Sequence, residues 1–361
     1  LSQTIPSIIA LAANNFTPLL RTPWAGKMIA SSIKRPLLGD NVPERIGESW
    51  EFSLDPDFPS LLASGSNKLS DLIAQDSSAT LGGSTECNIL VKLLNADEPL
   101  SVQIHPKDGD PHLKKNECGK PESWLVLDAA PNCGLYLGFA RSTSIDELRR
   151  AFGQGDAKAH ELLNFVPVRA GDYFEIEPGV PHAIGPGVLL LEPQRVVAGL
   201  SGKTYRLWDW NRKYDAHGER DDLNGKPREL HLEQGLGLLD VDRQIGDAFV
   251  NMLRRRPEVQ KLNALASWSR YPSNPYYQLS VFDFGMSGKA VIEQDRSFAI
   301  AIALNGSVEV KAADGSKIVF RKGQSGFVTA KSWPLTVTGC SADAKLALLT
   351  DAQNLIRARD A

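Results

Sequence analysis

The sequence predicts a mainly β protein: two jelly-roll barrels, each a double sheet, with a small helical segment attached. Three observations predict it. From Asn88 onward, short stretches alternate apolar and polar residues with the period of two that marks strands. Glycine-, proline- and asparagine-rich turns punctuate them, among them the hairpin dipeptides Asn305-Gly306 and Asp314-Gly315. The same grammar then recurs over 277–350. With 361 residues the chain has room for two or three core-forming domains. The expected division is an N-terminal domain over 1–253, with helices inserted at about 144–164, and a C-terminal domain over 254–361.

Early elements are short. Asn15-Phe16-Thr17-Pro18-Leu19-Leu20-Arg21 reads as a strand and Trp24-Ala25-Gly26-Lys27 as a glycine turn. Gly47 to Ser53 alternates strongly and reads as another strand, and Asp71–Gln75 reads as a helix with Ser70 as N-cap. Asn88–Leu94 is an apolar strand. Leu100-Ser101-Val102-Gln103-Ile104-His105-Pro106 alternates, so Gln103 and His105 share a face. Trp124–Asp128 and Gly134–Phe139 follow around a hairpin-like turn. Between Ser144 and Phe152 the period changes: Ile145, Leu148 and Phe152 recur at helical spacing, and Ser144 with Glu147 forms a capping box. Lys158–Asn164 continues as a second helix. Strands resume at Phe165–Val168, Gly171–Ile176, Gly187–Glu192 and Tyr205–Trp210.

Residues 211–226 read as a polar surface loop, Glu229–Leu239 as a helix and 254–276 as connecting chain. Six further strands are expected, at Tyr277–Phe284, Phe298–Leu304, Ser307–Ala312, Lys317–Phe320, Gly326–Thr329 and Leu335–Thr338. Gly171 and Gly323 begin similar segments, and the slot of His182 falls on Pro334 in the second. An internal duplication with one working site and one retired site is the reading.

Composition narrows the function classes. The chain is 42% hydrophobic and 23% charged, as in globular proteins, and its net charge of −3 gives no electrostatic case for nucleic acid. No apolar run is long enough to span a membrane as a helix. The apolar stretch Ile8–Ala13 has no basic region ahead of it, so no signal peptide is expected. Cys87, Cys118, Cys133 and Cys340 form no CxxC pair, and reduced thiols in a cytoplasm are expected. The expected partner is a small molecule, and the expected state a monomer or weak homodimer.

Gln103, His105, Glu122 and His182 would together make a four-ligand N/O metal site. Two imidazoles, a carboxylate and an amide oxygen suit zinc and tolerate manganese, cobalt or iron. With no redox partner visible, zinc as Lewis acid is the simplest choice, one ion per chain. Spacing alone does not separate this from ordinary polar positions on strands. Cys118 reads as a nearby loop thiol. His112, His160 and His217 read as solvated, and His231 as a surface or capping residue at a helix start. Lys120 is either a solvent lysine or a cation beside the metal that stabilises an oxyanion. Arg206 has the same two readings; on an inner strand face it needs an anion to be tolerated.

In this order, Leu100 to Pro106, Lys120-Pro121-Glu122, Pro181-His182-Ala183 and Thr204-Tyr205-Arg206 resemble the type I mannose-6-phosphate isomerases, zinc enzymes of the cupin superfamily. Trp24-Ala25-Gly26 is similar to that family's Trp-Gly-Gly turn. Gly47 to Glu51 and Asn224 to His231 resemble motifs of its shorter bacterial branch. The resemblance covers Asn15 to Leu239 closely and the C-terminal, cupin-like part in outline. It implies zinc held by Gln103, His105, Glu122 and His182, with water completing the site, and interconversion of mannose 6-phosphate and fructose 6-phosphate. Lys120 and Arg206 match active-site positions of the family, and Glu192 matches a glutamate preceding that arginine.

Three departures stand out. The segment Pro193 to Lys203 is longer than usual and lacks the Gln-Asn-Ser-Asp run. Glu177 stands where cupins usually carry proline, and Ile184 replaces an aromatic. The expected chemistry is proton transfer through a cis-enediol, with Glu192 as base, Lys120 supporting the oxyanion and Arg206 holding anionic charge. The competing readings are a cupin isomerase or epimerase for another sugar phosphate, and a non-catalytic metal-dependent sugar-binding cupin.

Overall fold

The structure is a computed structural model and describes residues 5–295 and 297–361. It is mainly β, with four large sheets that pair off. The first pair consists of two sheets. One is six-stranded, in the order Arg254–Arg255, Tyr173–Ile176, Glu122–Ala129, Val188–Arg195, Ile89–Asn95, Glu48–Phe52. The other is five-stranded, in the order Tyr205–Trp208, Val102–Ile104, His182–Ile184, Gly134–Phe139, Leu163–Pro167. Trp124, Val126, Leu135, Leu137, Ile184 and Leu190 form the core between them.

The second pair, of seven and five strands, closes on Phe282, Ile292, Val308, Phe320, Val337 and Leu346. A third core fuses the pairs: Val91, Leu93, Leu125, Leu189 and Leu191 from the six-stranded sheet meet Leu279, Val281, Ile300 and Phe327 from the seven-stranded one. The six-stranded sheet is therefore covered on both faces. This is why Ile89–Asn95 is buried at every position and reads as a nearly continuous apolar run. Strand alternation then sorts the neighbours. Ser123 and Leu125 face the second sheet pair, while Glu122, Trp124 and Val126 face the first interior.

The helical segment behaves as its pattern suggests. Ile145–Gly153 is a helix, and the Ser144 hydroxyl accepts the Glu147 N–H; the Glu147 carboxylate accepts from Arg141 and Thr143, so only this half of the expected capping box forms. Its Leu148, Ala151 and Phe152 cover the outer face of the five-stranded sheet against Ile104, Ala183 and Leu207. The second helix shrinks to a 3-10 turn over Ala159–Leu162.

Other expectations need correction. Residues 254–276 are not connecting chain: they hold Arg254–Arg255, Glu258–Asn263 and Ala266–Arg270, and Glu258–Asn263 is an edge strand so exposed that it shows no alternation. Asn15–Arg21 contributes one bridge, Phe16 to Ser49, rather than a strand. The helix expected at Asp71 begins at Leu69 with Lys68 before it, so Ser70 is not its cap. Although the sequence groups residues 1–253, the strand Ile8–Ala10 pairs with Ser325–Val328 in the seven-stranded sheet. Among the described residues, no helix is long and apolar enough to cross a membrane.

Candidate metal centre

Both sheets of the first pair contribute to one end of their shared interior. The five-stranded sheet brings Gln103 directly opposite both His182 and Arg206, and His105 follows at the strand's end. Side chains directly opposite share a face, so these residues converge on one side. The six-stranded sheet supplies Glu122, with Lys120 just ahead of it, and Glu192 on the neighbouring strand.

His105, Glu122 and His182 are buried and form a cluster able to hold a metal ion, their ligand atoms all within 4.8 Å of one another. Glu122 Oε2 lies 3.2 Å from His105 Nε2, and Oε1 lies 3.4 Å from His182 Nε2. Each imidazole is pinned through its other nitrogen, His105 Nδ1 on Lys203 O at 3.2 Å and His182 Nδ1 on Val180 O at 2.8 Å. A backbone carbonyl accepts only from N–H, so both rings carry their proton on Nδ1 and point a lone pair inward from Nε2. Both Nε2 atoms are buried and have no hydrogen-bond partner. Buried polar atoms are rarely left so, and two lone pairs aimed at one carboxylate fit a cation between them.

The electrostatics agree. Burial, followed by the Lys120 ammonium, pushes the His105 imidazole down to about 3, and burial lowers His182 as well, so both rings are neutral. Burial works to raise the Glu122 carboxyl, but the Lys120 ammonium beside it favours the charged form, and the carboxyl stays well below the usual range. Lys120 Nζ stands 3.6 Å from Glu122 Oε2.

Gln103, Lys120, Glu192 and Arg206 line a cavity of about 340 Å³, a size typical of small-molecule sites. The His-Glu-His cluster lies one side chain behind its wall. The lining includes Arg21, Lys92, Lys120, Lys203, Arg206 and Arg228 against Glu48, Asp55, Asp57 and Glu192, a balance that favours an anionic ligand. Arg206 donates from Nη1 to Glu229 O at 2.7 Å, while its buried Nε has no partner. Burial and the neighbouring Arg228 lower its guanidinium to about 10, still charged at neutral pH.

Glu192 is almost fully buried. Its Oε1 accepts from Trp124 Nε1 at 3.0 Å, and Lys92 Nζ lies 3.7 Å from Oε2. Burial and the Glu122 charge push its carboxyl up to about 8, with Lys92 and Lys120 pulling back.

Sequence reasoning missed Gln194, Lys92 and Trp124. Gln194 Nε2 donates to Glu122 Oε2 at 2.8 Å and to Glu192 Oε2 at 2.7 Å. Its signal was the period of two from Glu192; that of Lys92 was a lone charge inside an apolar strand. Cys118 is not in the cluster, and its sulfur accepts the Val197 N–H at 3.4 Å. His112, His160 and His217 are exposed, and His231 precedes the helix Leu232–Leu236. Glu177 is exposed in the turn before His182, away from the cluster.

No family model matches the chain. It is 29% identical over 319 residues to a mannose-6-phosphate isomerase of Streptococcus mutans, covering 86% of this chain and 90% of that protein. It is 34% identical over 226 residues to the mannose-6-phosphate isomerase ManA of Bacillus subtilis, covering 60% and 64%. A crystal structure of the Bacillus subtilis mannose 6-phosphate isomerase superposes with a TM-score of 0.76 at 26% identity, over 96% of this chain and all of that one. The chain is similar in sequence and in fold to mannose-6-phosphate isomerases. That similarity fits the mainly β architecture and the His-Glu-His cluster. The motifs that carried the resemblance, from Leu100 to Pro106 and around Glu122 and His182, are those that meet at the cavity.

Proposed function

We propose that this enzyme interconverts mannose 6-phosphate and fructose 6-phosphate, with one zinc ion held by Gln103, His105, Glu122 and His182. The observation that carries the reading is the pair of unpartnered Nε2 lone pairs converging on Glu122 beneath a cationic cavity. Gln103 would complete the set from its place opposite His182. Bound there, zinc supplies Lewis-acid polarisation of the sugar's carbonyl oxygen.

The chain's own groups account for the rest. Aldose–ketose exchange moves one proton between C1 and C2 through a cis-enediol while negative charge grows on oxygen. Glu192, which lines the cavity and is raised toward neutrality, takes the proton from one carbon and returns it to the other. Lys120 Nζ stabilises the oxyanion. Arg206 holds anionic charge, on the enediolate or the phosphate, with an Nε donor to spare. Residues 1–253 carry the catalysis in this reading, with 254–361 as a metal-free supporting half.

The test is proton exchange. Zinc-loaded protein in deuterated water should label C2 of mannose 6-phosphate and convert it faster than other hexose phosphates. Binding without exchange would make the protein a sugar-binding module, and a faster reaction with a different hexose phosphate would reassign the substrate.

A further inference from the structure

Gln194 is a nearly completely buried amide in the strand Val188–Arg195, two residues beyond Glu192 on the same face and directly opposite Glu122 in the adjacent strand. Its Nε2 lies 2.8 Å from Glu122 Oε2 and 2.7 Å from Glu192 Oε2. The orientation of the amide follows from this. A carbonyl oxygen between two carboxylate oxygens would be repelled by both, whereas an NH₂ has one proton for each. Both donors are therefore committed, and they tie together two buried carboxylates that would otherwise repel.

The other end of the amide is left over. Gln194 Oε1 is buried and has no partner, although Gln194 lines the cavity. An acceptor in that position calls for a donor, and an anion there would be repelled. We propose that Gln194 is the positioning residue of this site: its NH₂ clamps Glu122 against Glu192, and its carbonyl accepts a hydroxyl hydrogen of the bound sugar. The hydroxyl-bearing carbons are thereby turned toward Glu192, and the phosphate toward the cations elsewhere on the wall. The sugar half of the proposal rests on the function proposed above, while the clamp half does not.

The test uses Gln194→Met, close in length but unable to donate or accept, on the full-length protein. Zinc affinity is measured by competition with a chelator, and steady-state kinetics with mannose 6-phosphate at saturating zinc. Loss of a hydrogen-bond partner to a ligating carboxylate weakens metal binding by about 10- to 100-fold. That loss is expected here, together with a fall of at least about tenfold in kcat/KM with zinc saturating. If Gln194→Met does not fold, Gln194→Asn, an amide one methylene too short to span the two carboxylates, is read the same way. Zinc affinity within about twofold of the parent overturns the clamp, and unchanged kcat/KM at saturating zinc overturns the hydroxyl contact; a purely structural side chain would lower the unfolding midpoint and leave both unmoved. If the parent protein itself fails to turn over mannose 6-phosphate, the proposed function falls, and zinc affinity alone decides the clamp.

Discussion

Replacing Lys34 by methionine should cost more stability than any exposed charge in the molecule. Lys34 and Glu51 form an ion pair at 2.6 Å with both side chains essentially inaccessible to water. Lys34 also donates to Gly323 O at 2.8 Å, and the Ser49 hydroxyl donates to Glu51 Oε1 at 2.6 Å, so the pair fastens the first sheet pair to a turn of the second. Two unit charges at this distance attract by about 6 kcal/mol at an effective dielectric of about 20. Taking each ion out of water costs several kcal/mol, so the intact pair is close to break-even. Breaking it is not. Lys34→Met leaves the Glu51 carboxylate buried with one hydroxyl for company, a cost of about 3–5 kcal/mol. The double variant Lys34→Met/Glu51→Leu removes the stranded charge and should recover most of that, less about 1–3 kcal/mol for the unpaired Gly323 carbonyl. Urea unfolding followed by tryptophan fluorescence measures all four corners of the cycle. A single-variant loss below about 1 kcal/mol, or a double variant no better than the single, would refute the reasoning.

Three further predictions concern the site. As the proposed base, Glu192 would work only when deprotonated, and burial and Glu122 push it up to about 8; kcat/KM should therefore fall with decreasing pH, with an apparent pKa at or below about 8 because a dication held beside Glu122 would offset the charge that raises it. A profile flat between about pH 5 and 8 would place the base elsewhere, and Glu192→Gln should abolish turnover. A Cβ at Gly202 would sit 2.8 Å from Lys120 Cδ and 3.0 Å from Cγ, so Gly202→Ala should displace the ammonium and lower kcat/KM by up to about a hundredfold with little loss of stability; unchanged kinetics would argue against Lys120. The Tyr277 hydroxyl, from the second sheet pair, donates to Pro193 O and meets Ser123 Oγ, each at 2.8 Å, directly behind Glu192 and Glu122. Tyr277→Phe should cost about 1–3 kcal/mol in urea unfolding, and an unchanged midpoint would show that those buried groups find other partners.

What was legible in the sequence follows from the range of each interaction. Period-two alternation located the strands that bear Gln103 and Arg206, because one buried face writes itself into the residues; Glu122 lay just ahead of the expected strand Trp124–Asp128, and the three-residue strand His182–Ile184 is too short to show a period. The Ser144 cap is local and was equally plain. Glu258–Asn263 was invisible because an edge strand exposed on both faces carries no alternation. The helical turns over Ile29–Leu38 were not among the expected elements; they run through Pro36 near the start of the Arg35–Leu38 helix. The pairing of Ile8–Ala10 with Ser325–Val328 spans the whole chain and leaves no local mark. Gln194 was hidden by Pro193, which suggested that a loop starts there. The strand runs on to Arg195, and the proline carbonyl is satisfied by Tyr277.

On the proposed function, the two unpartnered imidazole nitrogens and Glu122 hold a catalytic metal. Metal content and mannose 6-phosphate turnover, measured on the same sample before and after chelation, test it most directly. About one zinc per chain is expected, with loss of turnover in step with loss of metal, restoration on adding zinc back, and neither metal nor turnover in His105→Ala or His182→Ala. Full turnover by the metal-free protein would contradict it.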